Sequence, residues 1–197
     1  MERKFMKTIG RECIIEFEEK KSKFIGYAKP VDSKIEAEKF IQMIKEKHYD
    51  ATHNCSAYKL TENGQEYFKV DDNGEPKGTA GKPMGDIITY MEVENLVVVA
   101  TRYFGGIKLG AGGLVRAYAK TAKLAIQEAG IIDYIPKKVY LLEFSYEKVS
   151  EVEQIIYKNG DEIQEKGYND RVLYKVTLSD SSYNELKDKK DIMIVNI

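Results

Sequence analysis

Cysteine is almost absent from this chain of 197 residues: only Cys13 and Cys55 occur. Neither stands in a CxxC or Cys/His ligand spacing, which argues against a disulfide framework and a zinc site and makes a reducing, cytoplasmic location the expectation. Nowhere do eighteen apolar residues run together, and the N-terminal MERKFMKTIGRE holds no apolar core of signal-peptide length, so neither membrane insertion nor export is expected. Net charge is only −1, which excludes a protein basic over its whole surface while leaving room for a local basic face. The GxGxxG and GxxxxGK[ST] patterns are both missing, so no dinucleotide fingerprint and no Walker loop is present. Nor is there an RNP-type aromatic motif, so base-specific readout is not signalled.

One further absence is local. Between Glu94 and Glu128 there is no carboxylate, while Arg102, Lys108, Arg116, Lys120 and Lys123 all fall in that gap. Around it, the chain is ordinary globular material, 43% hydrophobic and 32% charged, enough to build one or two α/β domains and too apolar for intrinsic disorder.

Periodicity sketches the elements. Residues 13–17 and 23–28 read as a hairpin, and Ser33 followed by Glu36 reads as a capping box opening a helix to residue 47. Residues 51–60 and 66–70 flank a turn whose Asn63-Gly64 pair supplies positive backbone angles. A punctuated loop over 71–83, DDNGEPKGTAGKP, precedes a short helix over 84–91. The run LVVVA at 96–100 predicts a strand buried on both faces at the centre of a sheet. After TRYFGGIKLGAGG comes an Ala-rich helix, 114–129, ending at Gly130. A linker at 133–138 separates a first domain, 1–133, from a second, 138–197. The second reads as strand 139–146, helix 150–158, strands 162–168 and 171–178, helix 181–189 with Asp180 as N-cap, and strand 192–197. That βαββαβ order is ferredoxin-like. The fold class is therefore α/β in the broad, α+β sense.

Two readings suit the glycine-rich segment. Gly105, Gly106, Gly110, Gly112 and Gly113 lie between a buried strand and a helix, where bare backbone and a helix N-terminus favour an anion such as phosphate. Arg102, Lys108, Arg116, Lys120 and Lys123 then supply charge, the last three at spacings that share a helix face. Equally, the glycines can serve only to pack helix against sheet, and the lysines to solvate it. Lys82, with Thr79, Gly81 and Pro83, either adds a second cation or simply starts the next helix. His53, Asp72 and Glu75 are the candidates for proton handling or a metal, against the reading that they form turns and a hydrogen-bonded structural imidazole. No metal site and no cofactor is implied. Tyr103 and Phe104 can stack on bases or belong to the core.

The segments KSKFIG (21–26), ATHNCSAY (51–58), DDNGEPKGTAGKPM (71–84) and VVATRYFGGIKLGAGGLVRAY (98–118) closely resemble the signature stretches of the IMPACT family, in its YigZ-like bacterial branch. The resemblance runs from about residue 11 to residue 130, and beyond that it rests on layout. It implies a first domain similar to the second domain of small-subunit ribosomal protein five and a second similar to the end domain of elongation factor EF-G, both pointing to RNA or the ribosome. Eukaryotic members that regulate translation add an RWD domain not read in this sequence, so their role is not carried over.

Three functions compete at this point. The basic segment favours an RNA- or ribosome-binding protein with a role in translation, using Arg102, Lys108, Arg116, Lys120 and the amides of residues 110–113 on phosphates. An enzyme acting on a phosphorylated or nucleotide-like small molecule would use the same loop with His53, Asp72 and Glu75. A protein-binding translational regulator, with a translation-associated partner, would use the second domain's sheet or an exposed edge strand.

Overall fold

The computed structural model describes residues 6–62 and 64–197. The chain divides into two compact units, Met1–Tyr134 and Ile135–Ile197. In the first, β1 (Lys7–Ile9), β2 (Cys13–Glu19), β3 (Ser22–Pro30), α1 (Lys34–Lys47), β4 (His53–Glu62), β5 (Gln65–Asp71), α2 (Gly81–Tyr90), β6 (Leu96–Tyr103), α3 (Ala111–Ala129) and β7 (Ile131–Asp133) follow in order. Five of the strands form one antiparallel sheet, β2-β3-β6-β4-β5, and β1 pairs with β7 separately.

The apolar run at 96–100 does lie at the sheet's centre. Val97 and Val99 pack against Phe40 and Ile44 of α1, while Val98 and Ala100 face Met84 and Ile88 of α2 and Leu114, Tyr118 and Ala122 of α3. Alternation along β6 therefore meets apolar partners on both sides, which is why the sequence shows a continuous hydrophobic run. Helix α3 sits close on β3 because Gly26 is bare there: a Cβ would come 2.7 Å from Thr121 Cγ2. The capping box at α1 is present, with Ser33 Oγ accepting the Glu36 amide at 3.2 Å.

In the second unit, β8 (Lys137–Phe144), α4 (Val149–Lys158), β9 (Glu162–Tyr168), β10 (Val172–Ser179), α5 (Asp180–Leu186) and β11 (Ile192–Asn196) follow in order, and the four strands form a fully antiparallel sheet, β11-β8-β10-β9. The βαββαβ order read from the sequence is there. Leu142, Phe144, Tyr174 and Val176 point to one face and pack with Val152 and Ile156 of α4 and Leu186 of α5.

Several boundaries differ, each for a local reason. Helix α3 starts at Ala111 rather than 114, so Gly112 and Gly113 belong to its first turn and not to the loop. Strands β1 and β7 were not read from the sequence, being three residues each and too short to show a period; β7 takes up the start of the expected linker. The cap of α5 is Ser179, not Asp180. Asp161 fixes it by accepting the Ser179 amide at 3.0 Å and hydroxyl at 2.8 Å, and the Ser179 side chain in turn accepts from Ser182. Of the Asn63-Gly64 turn, Asn63 lies outside the described residues, and Gly64 has the expected positive φ, 79°.

Candidate functional site

The loop after β5 is organised by Asp72. Its Oδ1 accepts the amides of Ala80 (3.1 Å) and Gly81 (2.8 Å), and its Oδ2 that of Gly78 (2.7 Å). The amides of Ala80 and Gly81 are donors a helix start leaves without intrahelical partners, and Ala80, the N-cap residue of α2, has no side chain to serve them. Asp72 thus caps α2 from upstream, which is why that helix begins at Gly81, three residues earlier than its apolar pattern predicts. The same loop is latched to β4. Asn73, at φ 44°, accepts the Asn54 amide on its side-chain oxygen (2.7 Å) and the His53 Nδ1–H on its carbonyl (2.8 Å), and the Cys55 thiol donates to the Asp72 carbonyl (3.0 Å).

That latch carries Glu75 into the interior. Glu75 Oε1 accepts from Arg102 Nη1 at 2.7 Å and from the Tyr118 hydroxyl at 2.8 Å, and the ion-paired side chains are only 7% and 3% exposed. Arg102 is therefore not a surface cation, contrary to expectation. The strand alternation of β6 turns it to the α2/α3 side, where its guanidinium lies 5.8 Å from the Phe24 ring and 5.4 Å from that of Phe104. Its Nη2 reaches Ser22 Oγ at 3.4 Å, and its buried Nε has no partner among the described residues.

The cluster is poorly suited to proton transfer. Burial pushes the Cys55 thiol up to about 12, against a lowering by Tyr118, so it holds its proton near neutrality. Burial, with Cys55 and Glu75 adding to it, raises Tyr118 further. His53 stands beside Glu75, but Nε2 is 3.8 Å from Oε2, beyond hydrogen-bond length. Of the expected trio, the fold brings His53 and Glu75 together and commits Asp72 to backbone amides. Among the described residues no group of three or more metal-ligating side chains is assembled.

The surface site lies on the outer side of α3. The chain after β6 is held by the Phe104 amide on Thr52 Oγ1 (2.9 Å) and the Gly105 amide on Ser22 Oγ (3.4 Å). At Gly105 any Cβ would overlap the Lys21 carbonyl, so the turn between β2 and β3, with Lys20 and Lys21 at φ 46° and 63°, is pressed directly onto the glycine loop. A cleft of about 260 Å³ opens beside it, lined by Glu19, Lys20, Leu109, Gly113, Arg116, Ala117 and Lys120. Three cations there face one carboxylate. Lys120 Nζ is 4.2 Å from the centroid of Phe17, a cation–π contact.

Helix α3 begins at this cleft with Gly110 (φ 73°) as N-cap and neither a side-chain cap nor an acidic residue in its first turn. The amides of Ala111, Gly112 and Gly113 and the positive end of the helix dipole are thus left for an outside acceptor. The sequence-derived candidates divide accordingly. Gly113, Arg116 and Lys120 line the cleft; Gly110 and Gly112 start the adjoining helix; Lys108 and Lys123 are exposed but do not line it. Lys82 is on α2, paired with Asp86 at 2.7 Å. Lys20 was missed, because only the fold brings a hairpin turn to a helix almost a hundred residues later.

A family model for the Impact N-terminal domain matches residues 20–126, the span that contains the buried cluster and every cleft residue but Glu19. The chain belongs to the IMPACT family. It is 36% identical over 177 residues to the IMPACT family member YvyE of Bacillus subtilis, covering 90% of this chain and 79% of that one. To the family member YigZ of Escherichia coli it is 32% identical over 171 residues, covering 86% and 84%. Among solved structures it is similar to a hypothetical protein at TM-score 0.65 and 28% identity, over 98% of this chain and 97% of the other. Both units of this IMPACT protein thus have a counterpart. Among its described residues no helix is long and apolar enough to cross a membrane.

Proposed function

We propose that this protein binds RNA, on the ribosome or in association with translation, by holding backbone phosphates in the cleft of Lys20, Arg116 and Lys120. The observation that carries the reading is the convergence of those three side chains, from two segments far apart in sequence, beside the uncapped start of α3. A helix N-terminus and fixed cations together make an anion site, and phosphates are the sequence-independent part of RNA recognition. The family's implied likeness to a ribosomal protein and to an elongation factor favours RNA as the source of the phosphate. In this reading residues 1–133 carry the contact, residues 138–197 act as a separate ferredoxin-like domain, and the protein works in the cytoplasm, where a translation-associated protein partner is compatible with it. An enzyme acting on a phosphorylated small molecule has less support, since Asp72 is committed to amides and the Cys55 thiol is held protonated near neutrality.

Binding to ribosomal subunits and total RNA across a salt series tests this. Three phosphate contacts predict a log–log salt slope of about −2 for single strands, and Arg116→Glu/Lys120→Glu should flatten it by about 1.4 while weakening binding severely. Salt-independent binding, or binding unchanged in the double variant, would overturn the proposal.

A further inference from the structure

Ahead of the glycine loop stands an aromatic ring that packs against Arg102 on one side and leaves nearly half its surface uncovered. Tyr103 and Phe104 are neighbours in sequence but meet different fates. Tyr103 turns to the α1 side, where its oxygen is engaged by His48 Nδ1 (2.8 Å) and its proton by Asp50 (3.0 Å). Phe104 turns the other way and remains 45% exposed.

The backbone that carries it is anchored. The Phe104 amide is tied to Thr52, Gly105 is jammed against Lys21, and the ring rests near the Arg102 guanidinium, which Glu75 pins from below. An exposed aromatic ring on a loose loop loses binding energy to the ordering of that loop; here the fold already holds the backbone from which the ring projects. The segment that carries the ring also adjoins the anion site, because the turn that supplies Lys20 to the cleft is the one whose Lys21 carbonyl meets Gly105.

Resting on the phosphate-cleft reading, we propose that Phe104 is a stacking platform for an unpaired nucleobase, so that the ligand is single-stranded RNA, its backbone in the cleft and one base on the ring. Basic grooves paired with aromatic faces are how single strands are held without sequence preference, every base having a π-face. A duplex cannot use the site in this way: its bases are stacked on one another, and its deep, narrow major groove is closed to side chains.

The test is fluorescence anisotropy on the full chain with a labelled RNA of about ten nucleotides, the length range such sites cover, offered as intact single strand, as abasic single strand and as blunt duplex. Wild type, Phe104→Ala, Phe104→Trp and Arg116→Glu/Lys120→Glu are compared, with thermal melts to confirm folding. Stacking predicts that Phe104→Ala loses about 5- to 100-fold on the intact strand, close to nothing on the abasic strand or duplex, and that Phe104→Trp keeps affinity. If Phe104→Ala binds the intact strand as wild type does while the charge reversal abolishes binding, the cleft stands and the stacking proposal falls. Equal losses on intact and abasic strands would also overturn it, as a purely structural effect. If wild type binds no RNA even at about 50 mM salt, where phosphate contacts are strongest, the cleft reading fails and this inference with it.

Discussion

Two cationic regions lie on either side of one glycine-rich segment, and they use charge in opposite ways. Inside, Arg102 is buried, paired with Glu75 and flanked by Phe24 and Phe104. Outside, Arg116 and Lys120 line an open cleft and, among the described residues, make no ion pair. An arginine taken out of water must be given a carboxylate, and Glu75 is brought into the core by a whole loop to do so. A solvated cation needs no partner until a ligand brings one. The inner region serves to join four chain segments, those carrying Ser22, Glu75, Arg102 and Tyr118, and the outer one is left free to bind.

The comparison is broken most sharply by removing Glu75. Glu75→Ala leaves Arg102 buried without its counter-charge and should cost about 3–5 kcal/mol of stability, read by urea unfolding. Arg116→Ala should stay within about 0.5 kcal/mol of wild type in the same assay, as exposed positions do. If Glu75→Ala proves as mild as Arg116→Ala, the two regions are not different in kind.

Next in size are two glycines of the one motif. Gly105→Ala sets a methyl group against the Lys21 carbonyl and should destabilise by about 2–3 kcal/mol, because backbone on both sides must move. Gly112→Ala puts its methyl at an ordinary 3.5 Å from Arg116 Nη1 in the first turn of α3, and should stabilise by about 0.5 kcal/mol or more through helix propensity. Denaturation midpoints of the pair distinguish the glycine needed for close approach from the one that is dispensable.

The smallest effect belongs to the opposite sheet face and serves as a control. His48 accepts from the Tyr27 hydroxyl on Nε2 (2.5 Å) and donates to Tyr103 from Nδ1 (2.8 Å), and burial, helped by Lys47, lowers its pKa below the usual 6.5. A lowered folded-state value means that the neutral form is favoured on folding. The stability it contributes is therefore full above about pH 6.5 and is lost as pH falls through that value towards the folded one. His48→Gln should flatten the decline in unfolding free energy between neutral and mildly acidic pH and leave RNA affinity at pH 7.5, about one unit above the His value, unchanged. A change in RNA affinity would mean that the two sheet faces are coupled.

Much of the architecture was legible because it rests on local rules. The double-sided burial of β6 shows as an unbroken apolar run, α1 announces itself through Ser33 and Glu36, and the second unit's βαββαβ order follows from its periodicities. The family was legible in four short segments. Strands β1 and β7 were not, since three residues carry no period and are specified by pairing alone.

The candidate site was only half legible, for a physical reason. Sequence by itself determined that residues 95–127 would hold cations and no carboxylate, and that a glycine-rich turn would lead into a helix. Which of those cations would meet solvent was decided by tertiary structure: strand alternation buried Arg102 against a glutamate 27 positions away, helix phase exposed Arg116 and Lys120, and the β2–β3 turn added Lys20 from the far end of the domain. Charge composition is a property of the chain, but the dielectric around each charge, and so whether it is neutralised within or left to bind, exists only once the chain has folded.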